Sequence, residues 1–414
     1  MQTLRARRRP NPNSTEQRRH RPDYWLPLIA TGLLGIGVVV VYAISPGVSN
    51  QNNVSEAYYI TKQLVAVGLG ALAFIILSRI PFGWWRHAIK PLIVISVLTA
   101  LAVQLFGARV NGAYRWVQIG GFSFQAAELI KFTLLIWLAD LLAKAKREGK
   151  LDSWKDTLKP LAICLVSIAI VVGILESDLG STAVMVGMIA TMVFVAGLPL
   201  KRIMMIGGTV AIGAILLISA FPYRRERLLT FLHPAANCQT TGYQSCQALI
   251  AVGSGGMFGL GLGKSVQAYG YLPEASNDSI FAILAEKFGF VGMTLILAAY
   301  AVFFKRLSKI IEKAPDDFSG FLVTGMLAWF SVQATINIGA MIGLLPLKGI
   351  TLPFISTGGT SVLFVTGALG LAFQISRYSS YSISNNQPGD PRYDNPTDGR
   401  GQRGTYYTTV RRRA

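Results

Sequence analysis

The stretch LPLIATGLLGIGVVVVYAI, residues 26–44, contains no charged side chain and is the first of a series of long apolar blocks. A membrane-spanning helix needs about 20 mostly apolar residues, because the hydrocarbon core of a bilayer is about 30 Å thick. Further blocks of this kind lie at 58–77, 88–105, 125–143, 160–175, 179–197, 203–220, 279–304, 320–342 and 359–376. In hydrocarbon a chain must satisfy its own backbone hydrogen bonds, and barrel strands would be about half as long. We therefore expect an all-α, polytopic integral membrane protein with about ten transmembrane helices.

The overall composition supports this expectation. Of 414 residues, 52% are hydrophobic and only 14% are charged, whereas a soluble domain carries roughly a quarter charged residues. The apolar excess is larger than one aqueous core needs.

Lysine and arginine are distributed unevenly, and their positions predict the orientation. They collect in alternate connections, at 5–21, 79–90, 144–159, 201–202 and 305–313, and again at the end of the chain. The intervening loops SPGVSNQNNVSEA and LESDLGS contain neither residue type. Because cytoplasmic loops carry the excess of basic residues, both termini are predicted to be cytoplasmic. The net charge of +19 then reflects topology and anionic membrane lipids, and it does not indicate a nucleic-acid partner.

Three regions follow from this pattern. Residues 1–23 form a basic arm, residues 24–378 the ten-helix membrane domain, and residues 379–414 a polar tail. Arm and tail lack apolar periodicity and are predicted to be disordered and cytoplasmic.

The cysteines and histidines give little indication of a metal site. Cys164 is expected to be a small buried apolar residue within the fifth span. Cys238 and Cys246 lie in an outer loop, where a disulfide is permitted but not required. His20, His87 and His233 are scattered, so no zinc-type cluster is expected.

The longest connection, residues 221–277, lies on the outer side, and long connections in compact bundles are usually functional. Arg224, Arg225 and Arg227 stand on a side where basic residues are disfavoured. They either extend to the membrane interface or bind phosphate oxygens of a lipid-linked substrate, and both interpretations stay open. The later glycine-rich run ends in GKS, but Phe258 stands where a nucleotide phosphate loop needs glycine. We expect instead a tight loop that approaches its neighbours closely, and no organic cofactor.

Asp278 stands at the outer entrance of the eighth span, and Glu286 follows two turns later on about the same face. Asp278 alone could be a helix N-cap. Glu286 within the membrane is harder to explain, because an ionisable group there is expensive and usually faces a cavity or a partner.

Other charged residues belong to the same outer half. Glu128 and Lys131 are spaced i and i+3, so they are either a structural ion pair or substrate contacts. Glu176 and Asp178 are by default solvated loop carboxylates, and Arg115 adds an outward cation.

Four motifs resemble the SEDS family (shape, elongation, division and sporulation). They are RWVQIGGFSFQAAELIKF, GYQSCQALIAVGSGG, GLGLGKSVQAYGYLPEASNDSIFAILAE and QATINIGAMIGLLPLKGITLPFISTGGTS. The residues of these motifs resemble the division members of the family more closely than the elongation members. The resemblance covers roughly residues 24–378.

The resemblance implies a peptidoglycan glycosyltransferase that polymerises lipid II at the outer face of the bacterial cytoplasmic membrane, at the septum. It implies, as partners, a class B penicillin-binding transpeptidase, other division proteins and membrane lipids.

The residues suit an inverting transfer, since one carboxylate, Asp278, can take a proton from the acceptor hydroxyl. The candidates for substrate binding are Arg115, Glu128, Lys131, Asp178, Arg224, Arg225, Arg227 and Glu286. Asp278, Glu128 and Asp178 are candidate ligands of Mg²⁺ or Mn²⁺ beside the pyrophosphate. A flippase or transporter of lipid-linked precursor, an elongation-type polymerase and a nonenzymatic division scaffold are the alternatives.

Overall fold

The computed structural model describes residues 16–51, 53–110, 113–119, 122–232 and 238–381. The helices within these ranges are α1 (Trp25–Gln51), α2 (Tyr58–Leu77), α3 (Trp85–Phe106), α4 (Ala126–Arg147), α5 (Lys159–Ile168), α6 (Leu179–Ala196), α7 (Leu200–Ala220), α8 (Pro222–Leu232), α9 (Tyr243–Ser254), α10 (Ile280–Glu312), α11 (Asp317–Met341) and α12 (Gly359–Ile375). Wide π-helical turns at Trp154–Leu158 and Ala169–Leu175 extend α5 at both ends.

Each predicted apolar block corresponds to one of these helices, so the predicted all-α architecture is confirmed. Among the described residues, seven helices are long and apolar enough to span a membrane. α12, with 17 residues, is slightly shorter, and α4 carries charged residues inside its apolar stretch. The protein is therefore an integral membrane protein whose α4 brings polar chemistry into the helix bundle.

Short strands add to the helical fold and were not predicted. β2 (Ala108–Val110), β3 (Ala113–Ile119) and β4 (Phe122–Gln125) form an antiparallel sheet between α3 and α4. In its register Trp116 lies opposite Gln125. This sheet fixes the position of Arg115 at the outer end of the bundle.

A short strand pair lies where the arm and the tail join the membrane domain. β1 (Glu16–Arg19) pairs with β5 (Tyr378–Tyr381), and the His20 N–H donates to the Arg377 carbonyl over 2.8 Å. The disorder predicted for the arm and the tail stays a prediction. Residues 1–15 and 382–414 lie outside the described part of the chain.

α11 runs through the centre of the bundle. Its Trp329 and Phe330 are fully buried, and Phe330 packs with Phe303 and Phe354 at ring-centroid distances of 6.1 and 5.7 Å. Gly325 lies against Met192 of α6 with no space for a side chain. Small residues of this kind allow helix backbones to approach closely within membranes.

The outer connection contains α8, α9 and a 3₁₀ turn at Gln267–Tyr269. Cys238 and Cys246 form a disulfide with a Cα–Cα distance of 5.6 Å, which decides a pairing that the sequence left open. Cys164 is only partly buried, because it lines a cavity between helices.

The glycine-rich run lies directly against a break in α10. Gly289 has φ 63° and ψ −167°, so α10 consists of two helical parts. The freed backbone groups pair with the loop: Leu260 N–H donates to the Glu286 carbonyl over 2.9 Å, and Phe290 N–H donates to the Gly256 carbonyl over 2.8 Å. A side chain at Gly259 would collide with the Lys287 carbonyl. The predicted close backbone approach is therefore confirmed.

Candidate active site

The first turns of four helices meet at the outer end of the bundle. Gln125, which precedes α4, donates from its backbone N–H to Thr360 Oγ1 of α12 over 3.2 Å. Its side-chain Nε2 donates to Asp178 Oδ2, which precedes α6, over 3.1 Å. Thr357, just before α12, donates to the carbonyl of Ser276, just before α10, over 2.6 Å. Because helix N-termini carry positive partial charge and unpaired N–H groups, their meeting point favours an anionic ligand.

Asp278 is half-buried at this meeting point, two residues before α10 begins. The N-cap position belongs to Ser279, whose side chain does not cap the helix. Asp278 lies one residue earlier, and the N-cap interpretation of its side chain stays open. Its Oδ2 lies 3.7 Å from the position that a Cβ on Gly349 would occupy, so its carboxylate faces the α11–α12 segment, residues 342–358.

Two buried amides of α11 hold that segment beside Asp278. Asn337 Nδ2 donates to the carbonyls of Asp278 and Ile350, both over 2.7 Å. One turn earlier, Gln333 Nε2 donates to the Thr351 carbonyl over 2.9 Å and to Thr351 Oγ1 over 3.2 Å. The backbone on both sides of the Asp278 carboxylate is thus fixed by side chains from a rigid central helix.

Lys131 and Glu128 form a fully buried ion pair with an Nζ–Oε1 distance of 2.8 Å. Lys131 Nζ also donates to Gln333 Oε1 over 3.1 Å and lies 5.2 Å from the ring centroid of Trp329. The same Gln333 oxygen accepts from Trp329 Nε1 over 2.8 Å. Gln333 therefore uses both ends of its amide and connects the ion pair to Thr351. This arrangement agrees with the structural interpretation of the pair, while a substrate contact stays a prediction.

Arg115, on β3, binds the turn that precedes α6. Its Nε and Nη2 donate to the carbonyls of Glu176 and Ser177 over 2.9 and 2.7 Å. Asp178 caps α6 by accepting from Ser181 N–H over 2.9 Å. The default interpretation of two solvated carboxylates was wrong, since Glu176 and Asp178 are 1% and 6% exposed.

Glu176 is the unusual member of this turn. Neither of its carboxylate oxygens has a hydrogen-bond partner among the described residues. Its pKa is raised to about 8, first by burial and second by the negative charge of Asp178, with Arg115 acting in the opposite direction. Glu176 is therefore mostly neutral at pH 7, which reduces the negative charge near an anion site.

The Asp178 turn and Asp278 lie on opposite sides of one short piece of backbone. A Cβ on Gly180 would lie 2.5 Å from Ile350 Cγ1, and the preceding Gly349 faces Asp278. The structure thus brings Arg115, Asp178 and Asp278 to the same end of the bundle, with Glu128 and Lys131 behind the α11–α12 segment.

Glu286 is directed toward the outer connection. It is fully buried and accepts from Ser265 Oγ, from Val266 N–H over 2.8 Å and from Gln267 N–H over 3.1 Å. Lys287 Nζ donates to the Leu262 carbonyl over 2.6 Å. These contacts anchor the loop to α10, and the substrate contact predicted for Glu286 stays a prediction.

The arginines of the outer connection lie on α8. Arg225 is exposed, while the side chains of Arg224 and Arg227 lie outside the described part of the structure. Their predicted contact with phosphate stays a prediction.

The carboxylates do not form a ready-made metal site. Among the described residues, no three His, Cys, Asp or Glu side chains come together as ligands. Of the three candidate ligands, Glu128 is paired with Lys131 and Asp178 caps α6. A Mg²⁺ or Mn²⁺ ion held by one carboxylate together with substrate phosphates stays a prediction, and no chemical step is assigned to a metal.

Sequence reasoning missed Gln125, Gln333, Asn337 and Thr351, although all four lie in motifs that carried the family resemblance. The signal was available, because an amide inside an apolar helix is costly unless it is hydrogen-bonded. Their partners are distant in sequence and could not be identified without the fold.

The fold and this site define a class: a polytopic membrane protein whose buried polar network supports one carboxylate at the outer membrane boundary. A family model described as "Cell cycle protein", covering FtsW, RodA and SpoVE, matches residues 24–381, and the chain belongs to this family. The predicted SEDS resemblance is thereby confirmed.

Named relatives match over most of their length. The chain is 36% identical over 360 residues to the probable peptidoglycan glycosyltransferase FtsW of Saccharophagus degradans, covering 86% of this chain and 92% of the relative. It is 36% identical to stage V sporulation protein E of Bacillus subtilis, covering 87% of this chain and 98% of the relative.

Solved structures share the fold. One, titled as the structural coordination of polymerization and crosslinking by a peptidoglycan synthase complex, aligns with a TM-score of 0.72 and 24% identity, covering 86% of this chain and 98% of that chain. The rod shape determining protein RodA of Thermus thermophilus aligns with a TM-score of 0.63 and 25% identity, covering 86% of this chain and 97% of that chain.

Proposed function

We propose that this chain is a peptidoglycan glycosyltransferase that joins lipid II units into glycan strands at the outer face of the bacterial cytoplasmic membrane, during cell division. The relatives named FtsW support this activity and its division role. The observation that carries the mechanism is the Asp278 carboxylate, which faces the α11–α12 segment where four helix N-termini meet.

The reaction needs one proton acceptor and a site for the leaving group. The acceptor hydroxyl oxygen forms a bond to the anomeric carbon of the donor sugar, the bond from that carbon to the phosphate oxygen breaks, and the polyprenyl pyrophosphate leaves with the bonding electrons. Asp278 takes the hydroxyl proton as general base. Because the nucleophile attacks opposite the leaving group in a single displacement, the anomeric configuration inverts.

Positive electrostatics at the meeting point stabilise the leaving pyrophosphate. The N-termini of α4, α6, α10 and α12 contribute partial charges, and Arg115 contributes a full one. Neutral Glu176 does not oppose them at pH 7. The α8 arginines are proposed to reach the same phosphates from the outer connection.

The proposed partners are a class B penicillin-binding transpeptidase and other division proteins, at the septum. A solved neighbour in fold is titled as a complex that coordinates polymerization with crosslinking, and coupled synthesis requires the two activities to lie close together.

The test is polymerisation of fluorescent lipid II by the purified full chain in liposomes, with and without the cognate transpeptidase. We expect Asp278→Asn to abolish strand formation while the protein still inserts and keeps its melting temperature. Undiminished polymerisation by that variant would refute the role of Asp278. A parallel assay of lipid II flipping separates a polymerase, which gives strands without flipping, from a transporter.

A further inference from the structure

A cavity of about 570 Å³ lies between α3, α4 and the fifth span, away from the Asp278 site. It extends through the depth of the bundle, from Gln104 and Leu175 near the outer ends of their helices to Trp137 and Pro160 toward the inner side. Ligand pockets in proteins range from about 300 to 1,000 Å³, so this volume is sufficient for part of a lipid chain.

The wall is mostly apolar, and the polar groups at mid-depth are hydrogen-bonded within the protein. Ser96 and Thr133 share a hydrogen bond of 2.7 Å, and Ser167 Oγ donates to the Ile163 carbonyl over 2.9 Å. Gln104 Nε2 is buried at the wall and has no hydrogen-bond partner among the described residues. A ligand that fills the cavity would therefore be apolar along its length and carry an acceptor where it leaves at the outer end.

That outer end leads toward the candidate active site. Leu175 lines the cavity, and the next residue, Glu176, gives its carbonyl to Arg115. Asp178 follows two residues later and caps α6, which packs against Ile350. A chain leaving the cavity beside Leu175 would place its headgroup next to Arg115 and the N-terminus of α6.

The helix that closes the cavity buries few of its side chains against the rest of the bundle. Within α5 only Leu161 and Ile168 are buried, and the span ends in a wide π-helical turn, a feature frequent at functional sites. A lipid chain in the cavity would make dispersion contacts along its apolar wall.

We propose that this cavity is a binding site for the isoprenoid chain of a polyisoprenyl phosphate or pyrophosphate, with the phosphate end directed to Gln104 and Arg115. The inference rests on the proposed function, because a lipid-linked substrate must keep its chain in the membrane while its pyrophosphate reaches the outer site. An ordinary phospholipid satisfies the apolar wall, but it would not be selected by continuity with the Arg115 turn.

Photo-crosslinking tests the site directly. The purified full chain in nanodiscs is irradiated with a long-chain polyisoprenyl phosphate that carries a diazirine within its isoprenoid chain, and the labelled peptides are mapped by mass spectrometry. We expect label on the cavity faces of α3, α4 and α5, displaced by unlabelled polyisoprenyl phosphate and not by phosphatidylglycerol.

Two substitutions at one helix provide the matched comparison. Ser167→Phe fills the cavity from α5, and we expect labelling to fall at least about fivefold, the effect of overpacking an occupied site. Ala162→Phe is on the same helix, but its side chain is exposed and lies outside the cavity, so labelling should be unchanged. Ala100→Phe fills the cavity from α3. It tests the same prediction if Ser167→Phe does not fold.

The outcomes separate this inference from the proposed function. Label that maps to the cavity in both the native chain and Asp278→Asn supports the site, whatever that variant does in polymerisation. Label elsewhere, equal displacement by phosphatidylglycerol, or unchanged labelling of well-folded Ser167→Phe and Ala100→Phe overturns the site even when the native chain polymerises lipid II.

Discussion

The side-chain amide of Asn337 donates to the carbonyls of Asp278 and Ile350, each over 2.7 Å, and so holds the entrance of α10 against the α11–α12 segment. One side chain from the central helix therefore sets the distance between the Asp278 carboxylate and the backbone that faces it. Asn337 is 1% exposed, so water does not replace these bonds when they are removed.

Asn337→Ala should reduce polymerisation strongly. Two buried carbonyls lose their donor, at a cost of about 1–3 kcal/mol each in stability. A displacement of about 1 Å at a reacting group lowers the rate up to about a hundredfold. The measurement is kcat and KM for lipid II polymerisation, together with the melting temperature in detergent, and we expect the loss mainly in kcat.

Asn337→Asp and Thr335→Ala are the controls for this prediction. Asn337→Asp keeps the size of the side chain but has no N–H donors, so it should be as impaired as Asn337→Ala. Thr335 is exposed on the same helix, and Thr335→Ala should behave as the native chain. Full activity of Asn337→Asp would show that the two hydrogen bonds do not position Asp278.

The buried Glu128–Lys131 pair predicts a non-additive response. Removing either partner leaves an uncompensated buried charge, and such changes cost about 3–5 kcal/mol. Glu128→Gln and Lys131→Met should each lower the melting temperature and the polymerisation rate. In the double variant no charge is left unpaired, so we expect stability to recover and the rate to return to within about tenfold of native.

The recovery of activity decides between the two roles of Lys131. Its ammonium donates to Glu128 and Gln333, so a recovered double variant would identify Lys131 as a positioning residue that acts through Gln333 and Thr351. A double variant that is stable but inactive would mean that Lys131 contacts the substrate directly.

The helices that correspond to the ten apolar blocks could be predicted, because length and apolar content are local properties of the sequence. The ends were less accurate: the first span continues to Gln51 and α4 to Arg147, since polar residues extend a helix beyond the hydrocarbon. The break at Gly289 was not predicted, because a glycine in an apolar run looks the same whether the helix continues or divides.

The site was predictable in its residue types but not in its contacts. Asp278 was identified as a carboxylate at a helix entrance, and the structure places it there. Its partner Asn337 is 59 positions away, and the Arg115 bond to the Glu176 carbonyl joins residues 61 apart. Such pairings depend on how helices pack, and no local pattern encodes them.

The Cys238–Cys246 disulfide should stabilise the outer connection. It closes a loop of 8 residues at the start of α9, for which the chain-entropy estimate is about 2–3 kcal/mol. We expect Cys238→Ser with Cys246→Ser to lower the melting temperature, and reductant to lower that of the native chain to the same value. Cys164→Ser, outside the disulfide, should leave the response to reductant intact. A native chain whose melting temperature is insensitive to reductant would contradict this role.

Glu176 predicts a particular dependence of stability on pH. Its pKa is raised from an ordinary value of 4.5 to about 8 in the folded protein. Between these values the folded state keeps a proton that the unfolded chain has lost, so the free energy of unfolding falls as pH rises from about 4.5 to about 8 and is level above that.

Glu176→Gln has no proton to lose at this position. In a series of melting curves in detergent from pH 5 to pH 9, the stability advantage of this variant over the native chain should therefore grow with pH. The full range corresponds to at most roughly 5 kcal/mol. Ser177→Ala, in the same turn, should retain the native pH dependence. Parallel curves for the native chain and Glu176→Gln would mean that Glu176 is ionised when folded and that its charge is compensated at the outer site.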